Sequence, residues 1–330
     1  MGEIKHTTLF IVASPFQALC MISIVEQFNI NNFDVLVQEF DDDKSASMIT
    51  SLLKEKEMNF KIHKIAHVIK DVLKVAKKIH YRYDNIYIGN YYDESLLAFA
   101  VIVSARHGKI CFFDDGTQAL EIFSEIPRVR YPDFKVKVVM ALYRVIAFFK
   151  EINANCFYTI YPVKSNNFNI VNYNFNLSID NRKNDKHGVY IIGTNSSVLN
   201  FLYKSYTDYL YDTIRYVRKM CNNETIYYCP HRRDKNNDMI KEVCKKEGVL
   251  FYDTKISVEY DFIKENINPY SVIGFTSNAL FTLKSIFPNS EILTVYYQLV
   301  DKKSNKETEL IRNRMVEFGI NILDLNNGIK

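Results

Sequence analysis

Short apolar runs alternate with helical segments along this 330-residue chain, and the alternation starts twice. The second series begins at residue 188, after a polar, asparagine-rich stretch at 165–186 that we interpret as an interdomain connection. Apolar strands that alternate with helices are typical of parallel sheets covered on both faces. We therefore predict an α/β protein of two Rossmann-like domains, 1–164 and 165–330, that face each other across a central cleft.

Helix boundaries can be predicted from capping residues and apolar periodicity. Ser14 is the expected N-cap of the first helix, and Pro15 is its expected first residue. In the second half the pattern predicts a long helix at 197–220. A last helix at 307–318 is expected to end the regular structure.

Composition limits the classes of function. The net charge of +4 is modest for this length, so it does not favour nucleic acid. It suits an anionic small-molecule substrate or weak attraction to an anionic membrane. The six cysteines form no Cys-x-x-Cys pair and are expected to be reduced. The chain shows neither the apolar core of a signal peptide nor a run of roughly 20 apolar residues, which predicts a cytoplasmic protein.

An acidic pair and a glycine stand where a predicted buried strand ends. The strand is 108–113, and Asp114, Asp115 and Gly116 follow it. Ligands of open α/β sheets bind beyond the carboxyl ends of the strands, so carboxylates here are placed for chemistry. Gly116 allows the backbone to turn sharply. The alternative is an ordinary surface turn, because Asp-Gly is a common turn dipeptide.

Two further strand ends carry polar motifs. The segment Pro230–Lys235 contains His231, Arg232 and Arg233. This cluster suits a phosphate or a carboxylate, and a solvated basic loop is the alternative. Later in the chain, Thr276 and Ser277 stand where a strand meets a helix. Their hydroxyls and the free N–H groups of the helix can bind an anion, and Ser277 can also act as an N-cap.

Together and in this order, these motifs resemble those of the bacterial sialyltransferases. The nearest match is the lipooligosaccharide sialyltransferase family, glycosyltransferase family 52, which is related to other bacterial sialyl- and polysialyltransferases of GT-B fold. Asp114-Asp115-Gly116 matches the acidic motif, Pro230-His231 the histidine motif and Thr276-Ser277 the hydroxyl motif. The family usually has His-Pro where this chain has His231-Arg232. The segment 13–19 also resembles the Thr-Pro-Leu-Gln segment near the start of the family.

The resemblance implies an inverting, metal-independent transfer of sialic acid, or a related nonulosonic acid, from its CMP derivative to a hydroxyl. The expected acceptor is galactose in a bacterial lipooligosaccharide, O-antigen or capsule. Asp114 is the first candidate for the general base and Asp115 the second, since a neighbouring carboxylate raises a pKa. His231, Thr276 and Ser277 are expected to stabilise the phosphate, and His231 can alternatively act as a general acid.

The resemblance also implies a donor-binding role for Glu259, which would hold the ribose hydroxyls of CMP. The alternative is an acid that stabilises a helix N-terminus. Arg232 and Arg233 would supply cations for the phosphate or the sialic acid carboxylate, and Gly116 is grouped with these donor-binding residues. No cofactor is expected, because the CMP-sugar is itself the donor substrate.

The remaining candidates are weaker. Gln17, Asn90 and Tyr91 follow first-domain strands and could contact the acceptor, and Gln17 could instead contact the donor sugar. Core packing is the alternative for a tyrosine. Asp208 is a rival base, and an ordinary solvated helix acid is its alternative. The histidines and the acidic run 41–43 show no metal-ligand grouping, so we predict no metal.

The helix predicted at about 133–151 is apolar with cations along it. Core packing is the usual explanation, and the alternative is contact with the inner face of the plasma membrane. A homodimer is a further option, and no nucleic acid partner is expected. Two other classes of function remain open. One is a different GT-B nucleotide-sugar enzyme, such as a UDP-sugar transferase or a non-hydrolysing epimerase, and the other is a non-catalytic glycan-binding protein.

Overall fold

The chain forms two compact units, Met1–Asn176 and Leu177–Lys330. This arrangement comes from a computed structural model, which describes residues 8–39, 45–64, 74–79, 82–116, 118–123, 134–175, 188–196, 199–221, 224–231, 234 and 237–329. Each unit contains one sheet with helices between its strands. The α/β prediction is therefore confirmed.

The first unit is built on seven strands. They are β1 Thr8–Val12, β2 Phe33–Glu39, β3 Lys61–Lys64, β4 Tyr83–Ile88, β5 Ser104–Phe113, β6 Asn153–Thr159 and β7 Asn169–Asn172. Their order is β3-β2-β1-β4-β5-β6-β7, and all neighbours pair in parallel. The described helices are Pro15–Gln27, Ser45–Glu55, Glu94–Val103, Gln118–Ile122 and Phe134–Lys150.

The second unit repeats this architecture without a repeat in sequence. Its strands are β8 Val189–Ile192, β9 Ile226–Cys229, β10 Leu250–Phe251, β11 Ser271–Gly274, β12 Glu291–Val295, β13 Asn321–Asp324 and β14 Gly328–Ile329. Their order is β10-β9-β8-β11-β12-β13-β14, and β14 alone runs antiparallel to its neighbour. The described helices are Tyr206–Met220, Asn237–Lys246, Val258–Lys264, Asn278–Ile286 and Lys302–Glu317.

Apolar burial explains why the central strands form where they do. All five residues of β1 and all four of β8 are buried, as expected for strands covered on both faces. In the first unit the Phe10 ring stacks on Tyr87 of β4, with 4.5 Å between ring centroids. In the second unit Tyr190 stacks on Tyr227 of β9 at 4.7 Å. Aromatic pairs thus connect neighbouring strands of each sheet.

Ser14 and Pro15 occupy the predicted positions at the start of the first helix. The Ser14 hydroxyl accepts a hydrogen bond of 3.2 Å from the backbone N–H of Gln17, and the proline ring sits in the first turn. The cap satisfies an N–H that has no partner within the helix. In the part of the chain that the structure describes, no helix is long and apolar enough to cross a membrane.

Several boundaries differ from the prediction. The strand predicted at 108–113 begins at Ser104, and the helix predicted at 307–318 begins at Lys302. The first unit extends beyond residue 164, because 169–172 pairs with β6 as strand β7 instead of acting as a connection. The helix predicted from residue 197 begins at Tyr206, since Phe201 forms an isolated bridge with Leu299 and Ser205 caps the helix. Regular structure continues past residue 318 into β13 and β14, which are too short for apolar periodicity to reveal.

Candidate functional site

Four predicted site residues lie at one edge of the first sheet. Gln17 follows β1, Asn90 and Tyr91 follow β4, and Asp114 follows β5 directly. These three strands are neighbours in the sheet, and parallel strands place their carboxyl ends at the same edge. The strand order also reverses between β1 and β4, and open α/β sheets bind ligands at such a point.

Asp114 is completely buried, with an exposed fraction of 0%. Its Oδ1 accepts a hydrogen bond of 2.7 Å from the Thr159 hydroxyl. Its Oδ2 accepts one of 2.8 Å from the backbone N–H of Ile160 and one of 3.0 Å from the Tyr173 hydroxyl. Both carboxylate oxygens are therefore oriented by groups that follow β6 and β7.

Burial and hydrogen bonding act on the ionisation of Asp114 in opposite directions. Loss of water around the carboxylate dominates and raises its pKa to about 7, while the three donors oppose the shift and the neighbouring Asp115 adds a little to it. A carboxyl with a pKa near neutrality can either accept or release a proton at physiological pH. This property suits a general base or a general acid.

The partners of Asp114 were not identified from the sequence. Thr159 ends β6, and its hydroxyl also accepts a hydrogen bond of 3.1 Å from the N–H of Tyr161. Because Thr159 carries a hydroxyl at the end of a predicted strand, the sequence could have suggested it as a partner of Asp114. The sequence provided no such indication for Tyr173, because the polar segment that contains it was interpreted as an interdomain connection. Only the pairing of β7 with β6 brings Tyr173 close to Asp114.

Asp115 and Gly116 continue the chain beyond the buried carboxyl. Asp115 is partly exposed, in contrast to the fully buried Asp114. Gly116 has φ of +62°, in the left-handed region that favours glycine. The predicted sharp turn is thus present at this position.

Gln17 lies where the strand order reverses, between the turns that follow β1 and β4. Its Oε1 accepts a hydrogen bond of 2.7 Å from the N–H of Ala13, and only 2% of its surface is exposed. A Cβ atom at Gly89 would lie 2.5 Å from the Gln17 side chain, so the glycine permits this close approach. In this structure Gln17 joins the turns after β1 and β4, and its contact with an acceptor stays a prediction.

An aromatic pocket opens among the segments that follow β4, β5 and β6. Its volume is about 270 Å³, and it is lined by Tyr91, Tyr92, Ile122, Phe123, Ser165, Asn167 and Phe168. Tyr91 makes edge-on ring contacts with Phe112 and Phe168, at 4.9 and 5.8 Å between centroids. Nearby, the Asn90 side chain accepts a hydrogen bond from the N–H of Tyr92 and shapes the turn. The pocket therefore combines aromatic rings with an amide and a hydroxyl.

The second sheet places the other motifs at its own carboxyl edge. His231 follows β9, and Thr276 and Ser277 follow β11, while β8 lies between these two strands. His231 is partly buried, and its carbonyl accepts a hydrogen bond of 2.9 Å from the N–H of Asp234. The buried Asp234 carboxylate accepts hydrogen bonds of 3.0 Å from Ser196, which follows β8. These bonds connect the turn that follows β9 to the segment that follows β8. Arg232 and Arg233 lie outside the described residues.

Thr276 and Ser277 directly precede the helix Asn278–Ile286, and the backbone of Thr276 is strained. Thr276 has φ of +49°, which is unusual for a β-branched residue, and its N–H donates to the Thr294 hydroxyl at 3.3 Å. The Ser277 hydroxyl caps the helix by accepting from the N–H of Ala279 at 3.3 Å. Backbone strain of this kind is often found at functional sites, and a helix N-terminus attracts anions.

Glu259 and Asp208 occupy first turns of two helices. Glu259 is buried in the first turn of Val258–Lys264, which Ser257 caps. Asp208 is exposed, and its carboxylate accepts hydrogen bonds from the N–H and the hydroxyl of Ser205 in a capping box. These bonds hold the pKa of Asp208 below its usual value. Both predicted roles stay predictions. Among the described residues, no group of three or more His, Cys, Asp or Glu side chains could hold a metal ion.

Comparison with known proteins finds similarity in structure only. No protein-family model matches the sequence, and no curated protein matches it significantly. An α/β-galactoside α-2,3-sialyltransferase from Photobacterium phosphoreum has a TM-score of 0.56 at 13% identity, over 96% of this chain and 99% of that chain. The GT-B domain of a Photobacterium damselae sialyltransferase has a TM-score of 0.53 at 9% identity, over 96% and 99%.

A third solved structure of similar fold carries a different description. The putative UDP-N-acetylglucosamine 2-epimerase of Listeria monocytogenes has a TM-score of 0.55 at 9% identity, over 95% of this chain and 88% of that chain. At such identities the similarity establishes the fold and nothing finer. The chain has the GT-B fold, as the sequence motifs predicted.

Proposed function

We propose that this protein is an inverting glycosyltransferase that moves sialic acid, or a related nonulosonic acid, from its CMP derivative to a sugar hydroxyl. The observation that carries the proposal is Asp114, a carboxyl with a pKa of about 7 at the carboxyl edge of the first sheet. Two solved structures that share the GT-B fold are sialyltransferases, which supports the choice of donor.

In the proposed reaction the acceptor hydroxyl attacks the anomeric carbon of the donor sugar on the face opposite CMP. A new bond forms between the acceptor oxygen and that carbon. The bond from the carbon to the phosphate oxygen breaks, and its electron pair leaves with CMP. Asp114 takes the proton of the hydroxyl, and the configuration at the anomeric carbon inverts. Because Asp114 is buried, substrate must displace part of its covering, and the partly exposed Asp115 is the second candidate for the base.

The second unit supplies the groups proposed to stabilise the departing phosphate. His231, Thr276 and Ser277 follow strands on either side of β8, and the N-terminus of the helix Asn278–Ile286 adds backbone donors to the hydroxyls. Donors aimed at developing negative charge lower the barrier to bond breaking. Glu259 is proposed to bind the ribose, and Arg232 and Arg233 are proposed to supply positive charge.

The aromatic pocket of the first unit is the proposed acceptor subsite. Its ring faces suit the apolar C–H face of a sugar, and the side chains of Ser165 and Asn167 can hydrogen-bond to hydroxyls. The segment after β5 contains both Asp115 and the pocket residues Ile122 and Phe123. We propose galactose of a bacterial surface glycan as the acceptor, in the cytoplasm.

The test is a transfer assay with CMP-sialic acid and a β-galactoside, using wild type, Asp114→Asn, His231→Ala and Asp84→Asn. Asp84 is a matched control, because it is an exposed acid on the same sheet that precedes the carboxyl end of β4. We expect transfer by wild type and Asp84→Asn, and a loss of about a hundredfold or more in Asp114→Asn and His231→Ala.

Other outcomes of the same assay would revise the proposal. Retained transfer in Asp114→Asn together with loss in Asp115→Asn would assign the base to Asp115. If wild type neither transfers nor releases CMP with any of several nonulosonic donors, sialyl transfer is wrong. Turnover of UDP-N-acetylglucosamine in parallel reactions would then place the chain with the UDP-sugar enzymes.

A further inference from the structure

The helix Phe134–Lys150 presents an apolar face to solvent. Leu142 and Val145 are 58% and 51% exposed, and Phe148 and Phe149 are 78% and 73% exposed. The two phenylalanine rings contact each other edge to face, with 5.8 Å between centroids. Large apolar side chains grouped this way on a surface usually mark an interaction site. We call these four residues the apolar ridge.

The opposite side of the same helix is anchored in the first unit. Tyr143 is buried, and the Lys150 ammonium donates to the carbonyls of Val101, Ile102 and Ser104 at 2.9–3.0 Å. Those carbonyls belong to the end of the helix Glu94–Val103 and the start of β5. The apolar ridge is therefore the solvent-facing side of a helix whose other side already packs against the first unit.

Charge around the apolar ridge is positive. Arg144 is the one charged residue of the segment 142–149, and it is exposed beside the ridge. The helix sequence contains no acidic residue. The next residue, Glu151, is paired with Arg106 at 2.8 Å and with His107 at 3.1 Å. An apolar surface with a cationic border complements an anionic lipid surface, where apolar side chains enter the acyl boundary and cations meet the headgroups.

We propose that the apolar ridge docks this protein on the surface of an anionic lipid bilayer. A second copy of the chain fits less well, because a two-fold contact through the ridge would place two exposed Arg144 side chains in one apolar interface without an acidic partner from this helix. The ridge ends beside Ser104, where β5 begins, whereas Asp114 follows the other end of β5. The C-terminal end of the helix thus lies near the end of β5 opposite to Asp114. This proposal does not depend on the proposed function.

The test is flotation of the full chain with vesicles of phosphatidylcholine alone and with about 30% phosphatidylglycerol. The variants are Phe148→Ser/Phe149→Ser, Arg144→Glu and the control Tyr203→Ser, which changes a 75% exposed aromatic side chain of the second unit. We expect binding to the anionic vesicles that the double variant weakens by about tenfold or more. Arg144→Glu and about 0.5 M salt should also weaken it, while Tyr203→Ser should not.

Three results would overturn the proposal. One is an absence of wild-type binding to anionic vesicles. Another is equal binding by wild type and by Phe148→Ser/Phe149→Ser, with thermal unfolding verifying that the variant is folded. The third is sedimentation showing a wild-type dimer that the double variant dissociates, without vesicle binding by wild type. That result would assign the ridge to self-association.

Discussion

Tyr173 donates a hydrogen bond of 3.0 Å to Oδ2 of Asp114, although 59 residues of chain separate the two side chains. Tyr173 follows β7 and Asp114 follows β5, so the bond passes over the end of β6. Ile160 and Thr159 add donors from that intervening strand end. Donors from two neighbouring strand ends therefore stabilise the Asp114 carboxylate and oppose the larger effect of burial, which raises its pKa.

Tyr173→Phe is expected to raise the pKa of Asp114 above about 7. The hydroxyl stabilises the carboxylate, so its removal favours the protonated form. The acid limb of the kcat/KM profile for the proposed sialyl transfer should move up by up to about one pH unit, with a larger loss of rate at low pH than at high pH. Tyr87→Phe is the matched control, because Tyr87 lies in the same sheet and contacts Tyr158 instead. Superimposable pH profiles for wild type and Tyr173→Phe would argue against this role.

Asp114 is expected to make the stability of the first unit fall as pH rises. Its pKa is about 7 in the folded chain against an ordinary 3.8, so the native state holds the proton more tightly. The favourable contribution is complete below about pH 4 and is lost as pH rises to about 7, amounting to roughly 4 kcal/mol at most.

Asp114→Asn removes this titration, so its Tm relative to wild type should increase between about pH 5 and pH 8. Differential scanning fluorimetry across that range measures the effect. Asp115→Asn, at a partly exposed position, serves as the control and should show little change. A pH-independent difference between Asp114→Asn and wild type would show that the carboxyl does not titrate there.

Thr276→Gly is expected to separate stability from donor binding. Glycine adopts a φ of +49° without strain, so the free energy of unfolding should stay unchanged or rise by up to about 1 kcal/mol. The variant loses the hydroxyl proposed to contact phosphate, so the KM for CMP-sialic acid should increase about tenfold or more. Thr276→Ser keeps the hydroxyl and should retain wild-type KM. A marked loss of stability in Thr276→Gly would instead assign the hydroxyl a structural role.

Asp208→Ala is expected to lower stability and spare the proposed transfer. The carboxylate completes a capping box with Ser205, and losing such a cap costs about 1 kcal/mol of unfolding free energy. Chemical denaturation and the transfer assay measure the two effects on one preparation. Asp208→Asn, which keeps an acceptor oxygen, should be closer to wild type in stability. A large loss of transfer by a folded Asp208→Ala would support Asp208 as the general base.

Local rules accounted for much of the fold. Ser14 and Pro15 mark the first helix because capping chemistry acts within one turn of chain. The strand before Asp114 was recognisable because its last four residues, 110–113, are apolar and buried, as in a parallel strand covered on both faces. The strands β7 and β14 were missed because each contains at most two apolar residues, whereas the equally short β8 is apolar and buried throughout.

Hydrophobic periodicity and turn chemistry act over a few residues. They were therefore enough to predict the α/β class, the presence of two units and the positions of Asp114, His231 and Ser277 at strand ends. The burial of Asp114, its hydrogen bonds with Thr159 and Tyr173 and its pKa of about 7 depend on the folded structure. Strand pairing sets these contacts, and desolvation depends on everything packed around a group, so neither can be inferred from adjacent residues.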